Sequence, residues 1–340
     1  MPPTALAEQL VAGNRRALAR SITLVESTRA DHRAEAVALL DAVLPATGKA
    51  IRVGITGTPG AGKSTFIEQL GTQLTGAGHR VAVLAIAPSR HRSGGSILGD
   101  KTRRERLARD PRAFIRPSPS AGTLGGVARR TREAALLCEA AGFDVIVVET
   151  VGVGQSEIAV ADMVDCFVLL AAPGGGDDLQ GIKRGIMELA DVVVVNKADG
   201  DLVPAAQRTV ADCRHAVQLL RPKHVRWDVP VLAASALEAR GIDEMWAAVE
   251  RFEAHLRDGG GLDRIRSGQA VSWMWNEIRE QLVESFRDDP QVAMMWTEVE
   301  AAVRAGRRSP ATAAHDLLAA HGWPAGRPPS VPDMIDSDEE

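Results

Sequence analysis

The chain has 340 residues, 45% of them hydrophobic and 25% charged, which fits a protein built from one large domain and a smaller one. Its formal net charge of −4 at pH 7 argues against a general nucleic-acid-binding protein, because no excess of basic groups is available to release counterions. The three cysteines, Cys138, Cys166 and Cys213, stand at irregular spacings without a CxxC pair, which argues against a disulfide framework and a structural zinc site.

The apolar runs and the cysteine usage also bear on location. The longest apolar runs have the length of a strand and are far shorter than a membrane span. The N-terminus lacks the apolar region of a secretory signal peptide, and its early acidic residues are unlike a transit peptide. Isolated cysteines are typical of a reducing compartment. We therefore expect a cytoplasmic protein with no membrane partner.

The first 45 residues are predicted to be helical, since apolar residues recur there at helical spacing. After them, short runs rich in Val, Ile and Leu alternate with helical patterns, which predicts a doubly wound α/β domain with a mostly parallel sheet. The runs are apolar at successive positions, as in strands buried on both faces. The predicted strands are Ile51–Thr56, Val81–Ala87, Val145–Glu149, Cys166–Ala171, Val192–Asn196 and Val229–Ala233.

The sequence Asp258–Gly261 interrupts this pattern, and helical periodicity then resumes. Apolar side chains recur there at three- and four-residue steps, among them Trp273, Trp275 and Trp296. Core packing inside a helical hairpin would explain this stripe. A hairpin of this size buries little apolar surface alone, however, so we favour packing against a second subunit as a dimerisation element.

The end of the chain carries helix signals and then a tail. Ser309 followed by Pro310 is typical of an N-cap and a first helical position, and this helix is predicted to end near Gly322. From about Pro324 the sequence is rich in proline and acidic residues, which predicts a disordered tail.

A phosphate-binding motif follows the first predicted strand. The segment Gly57–Ser64 fits G-x-x-x-x-G-K-[ST] at every fixed position and precedes a predicted helix. Successive N–H groups in such a loop wrap a β-phosphate, while Lys63 neutralises phosphate charge and the Ser64 hydroxyl ligates Mg²⁺. The predicted nucleotide contacts are Gly57, Pro59, Gly60, Ala61, Gly62, Lys63, Ser64 and Thr65.

A second motif, Asn196-Lys197-Ala198-Asp199, stands at the end of a Val-rich predicted strand. The Asp199 carboxylate can accept hydrogen bonds from the N1–H and the exocyclic amine of guanine, and adenine does not present these donors in the same place. Asn196 would brace the loop, and the Lys197 stem can lie over the base. The next loop, Ser235-Ala236-Leu237, suits a further base contact, although a plain strand-to-loop turn would also explain it.

A third motif, Glu149-Thr150-Val151-Gly152, stands where another predicted strand ends. It occupies the place of a D-x-x-G switch, with Glu in place of Asp. The Glu149 carboxylate can order Mg²⁺ or its waters, and the Gly152 N–H can meet a γ-phosphate. The alternative is a carboxylate that only caps the following loop.

A further loop, Gly174-Gly175-Gly176-Asp177-Asp178, follows the strand that should end beside the nucleotide. Three glycines before two acids are typical of a flexible connection, but this position favours a mobile switch.

Five stretches together resemble one family. They are SGGSILGDKTR (Ser93–Arg103), IRPSP (Ile115–Pro119), GTLGGV (Gly122–Val127), ETVGVGQS (Glu149–Ser156) and LQGIK (Leu179–Lys183). The chain thereby resembles the MeaB/ArgK family of GTPases, which are chaperones of methylmalonyl-CoA mutase and related coenzyme B12-dependent acyl-CoA mutases. The likeness runs from about residue 5 to residue 320.

The resemblance implies a homodimeric GTPase of the signal-recognition and metallochaperone-like class, with GTP or GDP and Mg²⁺ as ligands. Such a protein binds an adenosylcobalamin-dependent acyl-CoA mutase, couples GTP hydrolysis to cofactor loading, and protects or reactivates the mutase. By position, Lys63, Asp100 and Glu149 would be catalytic, and Ser64, Asp100 and Glu149 would surround the metal. The third switch would comprise Asp177, Asp178, Gln180 and Lys183.

The resemblance also implies a division of the chain. Residues 1–47 would form a helical N-terminal extension and residues 48–257 a P-loop G domain. Residues 262–323 would form the helical dimerisation arm, followed by the disordered tail at 324–340.

One departure from the family pattern bears on hydrolysis. The family has Asp-Pro-Ser-Ser after the second strand, where this chain has Ala87-Pro88-Ser89-Arg90 and then His91. An acid that positions a metal or water influences the chemical step more than ground-state binding. We therefore predict GTP binding with slower hydrolysis, and His91 fits a solvent-exposed switch residue better than a site residue.

Three alternative functions share some of these features. Ala87 leaves open a nucleotide-gated binding module with little hydrolysis. A nickel metallochaperone GTPase would need a Cys/His relay, which the scattered His and Cys residues do not provide. An arginine/ornithine transport kinase is disfavoured by the guanine-reading N-K-A-D motif. The sequence does not identify the client mutase.

Overall fold

The computed structural model describes residues 3–27, 29–86, 105–118, 124–150, 156–174 and 184–323. The chain divides into two compact units, Met1–Ser272 and Trp273–Glu340. Among the described residues, no helix combines the length and the hydropathy needed to cross a membrane.

The first unit is built around one parallel sheet. Its strands are β1 Ile51–Gly57, β2 Val81–Ile86, β3 Ala113–Ser118, β4 Val145–Glu149, β5 Cys166–Ala171, β6 Val192–Val195 and β7 Val231–Ala233. They pair in the order β3-β2-β4-β1-β5-β6-β7, and every pairing is parallel. Strands β1, β2, β4, β5 and β6 are buried at every position, as their apolar runs predicted. The predicted doubly wound α/β fold is confirmed.

Strand β3 is the element that the strand prediction missed. Its apolar run is interrupted by Arg116 and Pro117, so it lacks the continuous Val/Ile pattern of its neighbours. Proline is tolerated there because β3 lies at the edge of the sheet, where one side of the strand needs no ladder hydrogen bond. The register pairs Val83 with Ile115 and Ala85 with Pro117.

Within the first unit, helices cover both faces of the sheet. The described helices of the whole chain, including those of the second unit, are in chain order α1 Pro3–Val11, α2 Arg15–Val25, α3 Ala30–Val43, α4 Lys63–Gly76, α5 Glu105–Arg109, α6 Leu124–Ala140, α7 Ser156–Ala161, α8 Arg184–Leu189, α9 Val203–Gln218, α10 Ile242–Asp258, α11 Gly261–Asp288, α12 Pro290–Arg304 and α13 Pro310–Ala320. One core joins Val168 and Leu170 of β5 to residues of α4 and α10. A second core joins Leu169 of β5 to Val210 and Cys213 of α9. Successive residues of one strand thus face opposite layers, as the period of a strand requires.

The three N-terminal helices pack beside the β3 edge. Leu10, Leu18 and Leu39 are fully buried among them. A hydrogen bond and an ion pair attach these helices to β3. The Arg15 guanidinium donates to the carbonyl of Ala113 at 2.7 Å, and Arg116 pairs with Glu26.

The second unit has a small core of its own, formed by Val292, Val299, Ala313 and Leu317. Its last helix begins as predicted, since the Ser309 hydroxyl accepts from the N–H of Thr312 at 3.1 Å. Several large apolar side chains of this unit stay exposed: Met274 is 51%, Trp275 48%, Leu282 53%, Met294 76% and Trp296 43% exposed. The small core of the second unit therefore does not bury the apolar side chains that recur at helical spacing in this part of the sequence.

Candidate functional site

The predicted motifs lie together at the carboxyl-terminal ends of the parallel strands. Because all seven strands are parallel, the loops that follow β1, β4, β6 and β7 leave the same edge. We call the Gly57–Ser64 loop with Glu149 the phosphate region. We call the Asn196–Asp199 turn with residues 235–240 the base-reading region.

Two glycines of the phosphate region are fixed by close approaches. A Cβ at Gly57 would lie 2.2 Å from the carbonyl oxygen of Leu170, so the end of β1 has no room for a side chain. Gly62 adopts a left-handed conformation with φ 85°, and a Cβ there would lie 2.7 Å from Asn196 Nδ2. Gly62 stands directly before α4, so the loop ends at a helix N-terminus, the arrangement in which such loops bind anions.

Lys63, the first residue of α4, lies over its own loop. Its Nζ donates to the carbonyls of Gly57 at 2.7 Å and Thr58 at 3.2 Å. Burial lowers the pKa of the Lys63 ammonium, and the negative charge of Glu157 acts in the opposite direction. The ammonium thus lies at the mouth of the loop, where it can counter phosphate charge.

Ser64, in the first turn of α4, lies beside Glu149, the last residue of β4. The Ser64 Oγ donates to Glu149 Oε1 at 3.3 Å, and Glu149 is only 7% exposed. A hydroxyl and a carboxylate are the hard oxygen donors that Mg²⁺ prefers, and Mg²⁺ at phosphates needs only one or two protein ligands. These two side chains fit a magnesium ion.

Asn196 joins the two regions. Its Nδ2 donates to the carbonyl of Ala61 at 2.8 Å, and its Oδ1 accepts from the N–H of Ala236 at 3.0 Å. Asn196 is buried, so both bonds are shielded from water. The phosphate loop and both base-reading loops are held together by this one amide.

The base-reading turn is strained and held in place. Lys197 has φ 60°, a left-handed conformation that costs a non-glycine residue about 1–2 kcal/mol. The N–H of Ala198 donates to the carbonyl of Ala234 at 2.9 Å, and the Ser235 hydroxyl is hydrogen-bonded to the Asp199 carboxylate. Leu237, the third residue predicted in this loop, is 80% exposed.

Two buried polar residues beside the phosphate region belong to none of the predicted motifs. Glu157 is 1% exposed and acts electrostatically on Lys63. Thr56, in β1, shares a hydrogen bond of 2.7 Å with Thr150 of the third motif. Glu157 directly follows the ETVGVGQS stretch, and an acid so close to a motif is the signal that would have found it. Thr56 carried no such signal.

Several predicted residues lie outside the described part of the chain. These are Ala87, His91, Asp100, Gly152, Asp177, Asp178, Gln180 and Lys183. Their assigned roles stay predictions.

Within the described ranges, no group of three or more His, Cys, Asp or Glu side chains is placed to hold a metal ion. The described cysteines are all buried. Neither observation supports a nickel relay in this part of the molecule.

A phosphate loop and an N-K-x-D turn at one edge of a doubly wound parallel sheet define the class of P-loop GTPases. Comparison with known proteins gives the family. The model of "Methylmalonyl Co-A mutase-associated GTPase MeaB" matches residues 18–291, and the chain belongs to this family.

Curated relatives agree with this assignment. The chain is 49% identical to "GTPase ArgK" of Escherichia coli over 90% of its own length and 92% of that protein. It is 51% identical to the mitochondrial "Methylmalonic aciduria type A homolog" of Mus musculus, over 92% of this chain and 77% of the mouse protein.

A solved structure described as "LAO/AO transport system kinase" superposes with a TM-score of 0.73 at 41% identity, covering 93% of this chain and 96% of that one. The predicted membership of the MeaB/ArgK family is confirmed. Membership of a GTPase family implies guanine nucleotide binding and supports GTP hydrolysis.

Proposed function

We propose that the chain is a GTP-driven chaperone of an adenosylcobalamin-dependent acyl-CoA mutase, which gates cofactor loading and protects or reactivates the mutase. The observation that carries the nucleotide part of this proposal is the Asn196 bridge between the phosphate loop and the base-reading loops. The family description, which names association with methylmalonyl-CoA mutase, supports the choice of partner.

Guanine selection is assigned to Asp199. Its carboxylate would accept from N1–H and the exocyclic amine of the base, and Ser235 holds it by a hydrogen bond. Adenine would leave the carboxylate without these donors. The carboxylate would then lose its bound water without gaining hydrogen bonds to the base, which weakens adenine binding. Asn196 keeps this carboxylate at a fixed distance from the phosphate loop.

Phosphate binding and hydrolysis are assigned to Lys63, Ser64 and Glu149. Lys63 would exchange its carbonyl partners for phosphate oxygens, and the N–H groups around Gly62 would surround the β-phosphate. Ser64 and Glu149 would hold Mg²⁺, which when bound neutralises phosphate charge. Asp100 and Gly152, outside the described residues, are proposed to complete this end of the site.

Hydrolysis is proposed to be slow, because Ala87 stands where the family has an acid. The same residue favours a second candidate function, a nucleotide-gated binding module that hardly hydrolyses GTP. Single-turnover GTP hydrolysis, measured with and without a mutase, separates the two. Turnover that stays negligible when the mutase is present would favour the binding module.

The exposed apolar side chains of the second unit support a homodimer. Trp275 and Trp296 are both more than two-fifths exposed, and side chains of this kind are typical of subunit interfaces. We assign residues 262–323 to a dimerisation arm, 1–47 to a helical extension and 48–257 to the G domain. Light scattering of the full chain would give twice the 36.1 kDa mass. A mass of one chain would remove the dimer from the proposal.

The partner is tested by co-purification. The tagged full chain is incubated with purified methylmalonyl-CoA mutase, or a related acyl-CoA mutase, in the presence of GDP or a non-hydrolysable GTP analogue. We expect retention of a mutase that depends on which nucleotide is present. K63A is the matched control, because it should weaken nucleotide binding and remove this dependence. If no candidate mutase is retained under any condition, the chaperone proposal fails.

A further inference from the structure

The loop at residues 235–240 carries a side chain that the motifs do not assign. Ser235 and Arg240 close this loop, since the backbone N–H of each donates to the carbonyl of the other, at 2.8 and 3.0 Å. Ser235, at one end, is fully buried and bonded to Asp199. Arg240, at the other end, is placed beside the same turn.

The Arg240 guanidinium reaches back to that turn. Its Nη2 donates to the carbonyl oxygen of Ala198 at 2.6 Å. The N–H of Ala198 is already held by the carbonyl of Ala234 at 2.9 Å. Both backbone polar groups of Ala198 are therefore fixed, one of them by a side chain alone.

The held carbonyl belongs to the peptide that joins Ala198 to Asp199. This peptide follows Lys197, whose left-handed φ of 60° is a conformation that a non-glycine residue leaves unless its neighbours hold it. When the carbonyl of Ala198 is fixed, the peptide cannot rotate. The position and direction of the N–Cα bond of Asp199, from which its side chain departs, are then fixed as well.

We propose that Arg240 is a positioning residue for guanine selection, which acts by holding the Ala198–Asp199 peptide through its guanidinium. The proposal rests on the assignment of Asp199 as the residue that reads guanine. Arg240 touches the backbone of the turn and acts on the base through Asp199.

A second contact of Arg240 provides a control. Its Nη2 also lies 3.0 Å from Glu238 Oε2, and these side chains are 59% and 46% exposed. An exposed ion pair of this kind contributes little. The bond to Ala198 is a charge-assisted hydrogen bond to a buried residue and is the stronger of the two. Removal of the Glu238 side chain should therefore leave the turn in place. The backbone N–H of residue 238, which donates to Ser235 Oγ, is still present in an alanine variant.

The test compares GDP with IDP. IDP lacks the exocyclic amine from which the Asp199 carboxylate would accept a hydrogen bond. Calorimetry gives both affinities for the full chain and for its R240A, R240M, R240K and E238A variants. We expect R240A and R240M to lower the GDP-to-IDP affinity ratio by about tenfold, the size of one charge-assisted hydrogen bond lost. R240K, which keeps a donor on a shorter stem, should retain part of the ratio, and E238A should match the wild type.

Three results would overturn the proposal. If R240A and R240M weaken GDP and IDP by the same factor, Arg240 supports the loop without serving selection. If neither variant changes either affinity, the contact is incidental. If the wild type binds GDP and IDP equally, the assignment of Asp199 itself fails, and this outcome is visible before any variant is made. R240M keeps the apolar stem, so it decides the question if R240A does not fold.

Discussion

The base-reading region and the phosphate region are held together in different ways. In the base-reading region, contacts run between separate segments: Ala236 to Asn196, Ser235 to Asp199 and Arg240 to Ala198. In the phosphate region, Ser64 also contacts a separate segment at Glu149, but Lys63, the group that would meet phosphate, donates to carbonyls of its own loop. The first arrangement can receive a base without moving, whereas the second has to change partners when a phosphate arrives. Under the proposed function we therefore expect the preorganised base-reading region to select the nucleotide and the phosphate region to change its contacts during hydrolysis.

The largest effect is expected where the two regions join. In G62A the new Cβ would lie 2.7 Å from Asn196 Nδ2 and would occupy a left-handed position at φ 85°. We expect a loss of GDP affinity of about 100-fold, from backbone strain and a broken Asn196 bridge together. Calorimetry with GDP measures the loss.

G60A is the matched control for G62A. Gly60 has nearly the same φ, 87°, but a Cβ there meets nothing within 4 Å. G60A should therefore lose clearly less GDP affinity than G62A. Both variants strain the backbone, but only G62A places a Cβ against Asn196. Equal losses would show that the contact with Asn196 is unimportant.

The second largest effect concerns the base. In D199N the amide can donate where the carboxylate accepts, so it suits xanthine, which has a carbonyl in place of the exocyclic amine of guanine. We expect GDP affinity to fall by about 100-fold and XDP affinity to rise, so that the preference reverses. Competition binding of GDP and XDP measures this. A variant that loses both nucleotides alike would contradict a rigid reading site.

Glu149 tests the other side of the comparison. E149Q keeps the size of the side chain and an acceptor for Ser64, but it removes the charge that suits Mg²⁺. We expect single-turnover hydrolysis to fall by about tenfold to 100-fold and the Mg²⁺ requirement to rise, while GDP affinity without Mg²⁺ changes little. Unchanged hydrolysis at limiting Mg²⁺ would remove Glu149 from the metal site.

The smallest effect is expected at the buried pair of Thr56 and Thr150, 2.7 Å apart. T56V should lower the free energy of unfolding by about 1–3 kcal/mol, because it leaves the Thr150 hydroxyl buried without its partner. The double variant T56V/T150V should recover part of that loss, since neither hydroxyl is then left unpaired. Denaturant unfolding measures both free energies, and a double variant less stable than T56V alone would contradict this explanation.

Much of the fold could be predicted from the sequence, because strands buried on both faces are apolar at every position. Val145–Glu149 and Cys166–Ala171 are observed with their predicted bounds. Strand β3 could not be found in this way, since Arg116 and Pro117 are allowed only by its place at the sheet edge. Edge position depends on pairing between distant segments, and a local pattern does not contain it.

The candidate site shows the same limit. The G-x-x-x-x-G-K-[ST] and N-K-x-D motifs could be found because each is local and has a chemical reason for its spacing. Arg240 acts through a contact with Ala198, 42 positions away, so no local pattern predicts its role. The bond from Asn196 to Ala61 spans 135 residues and is likewise a product of the fold.

Calorimetric titration of the full chain with GDP and with ADP tests the central claim most directly. A preorganised Asp199 that reads guanine predicts that GDP binds at least about 1,000-fold more tightly than ADP, the scale at which a site built for hydrogen bonding rejects a ligand lacking the partners. Equal affinities for the two nucleotides would contradict the account.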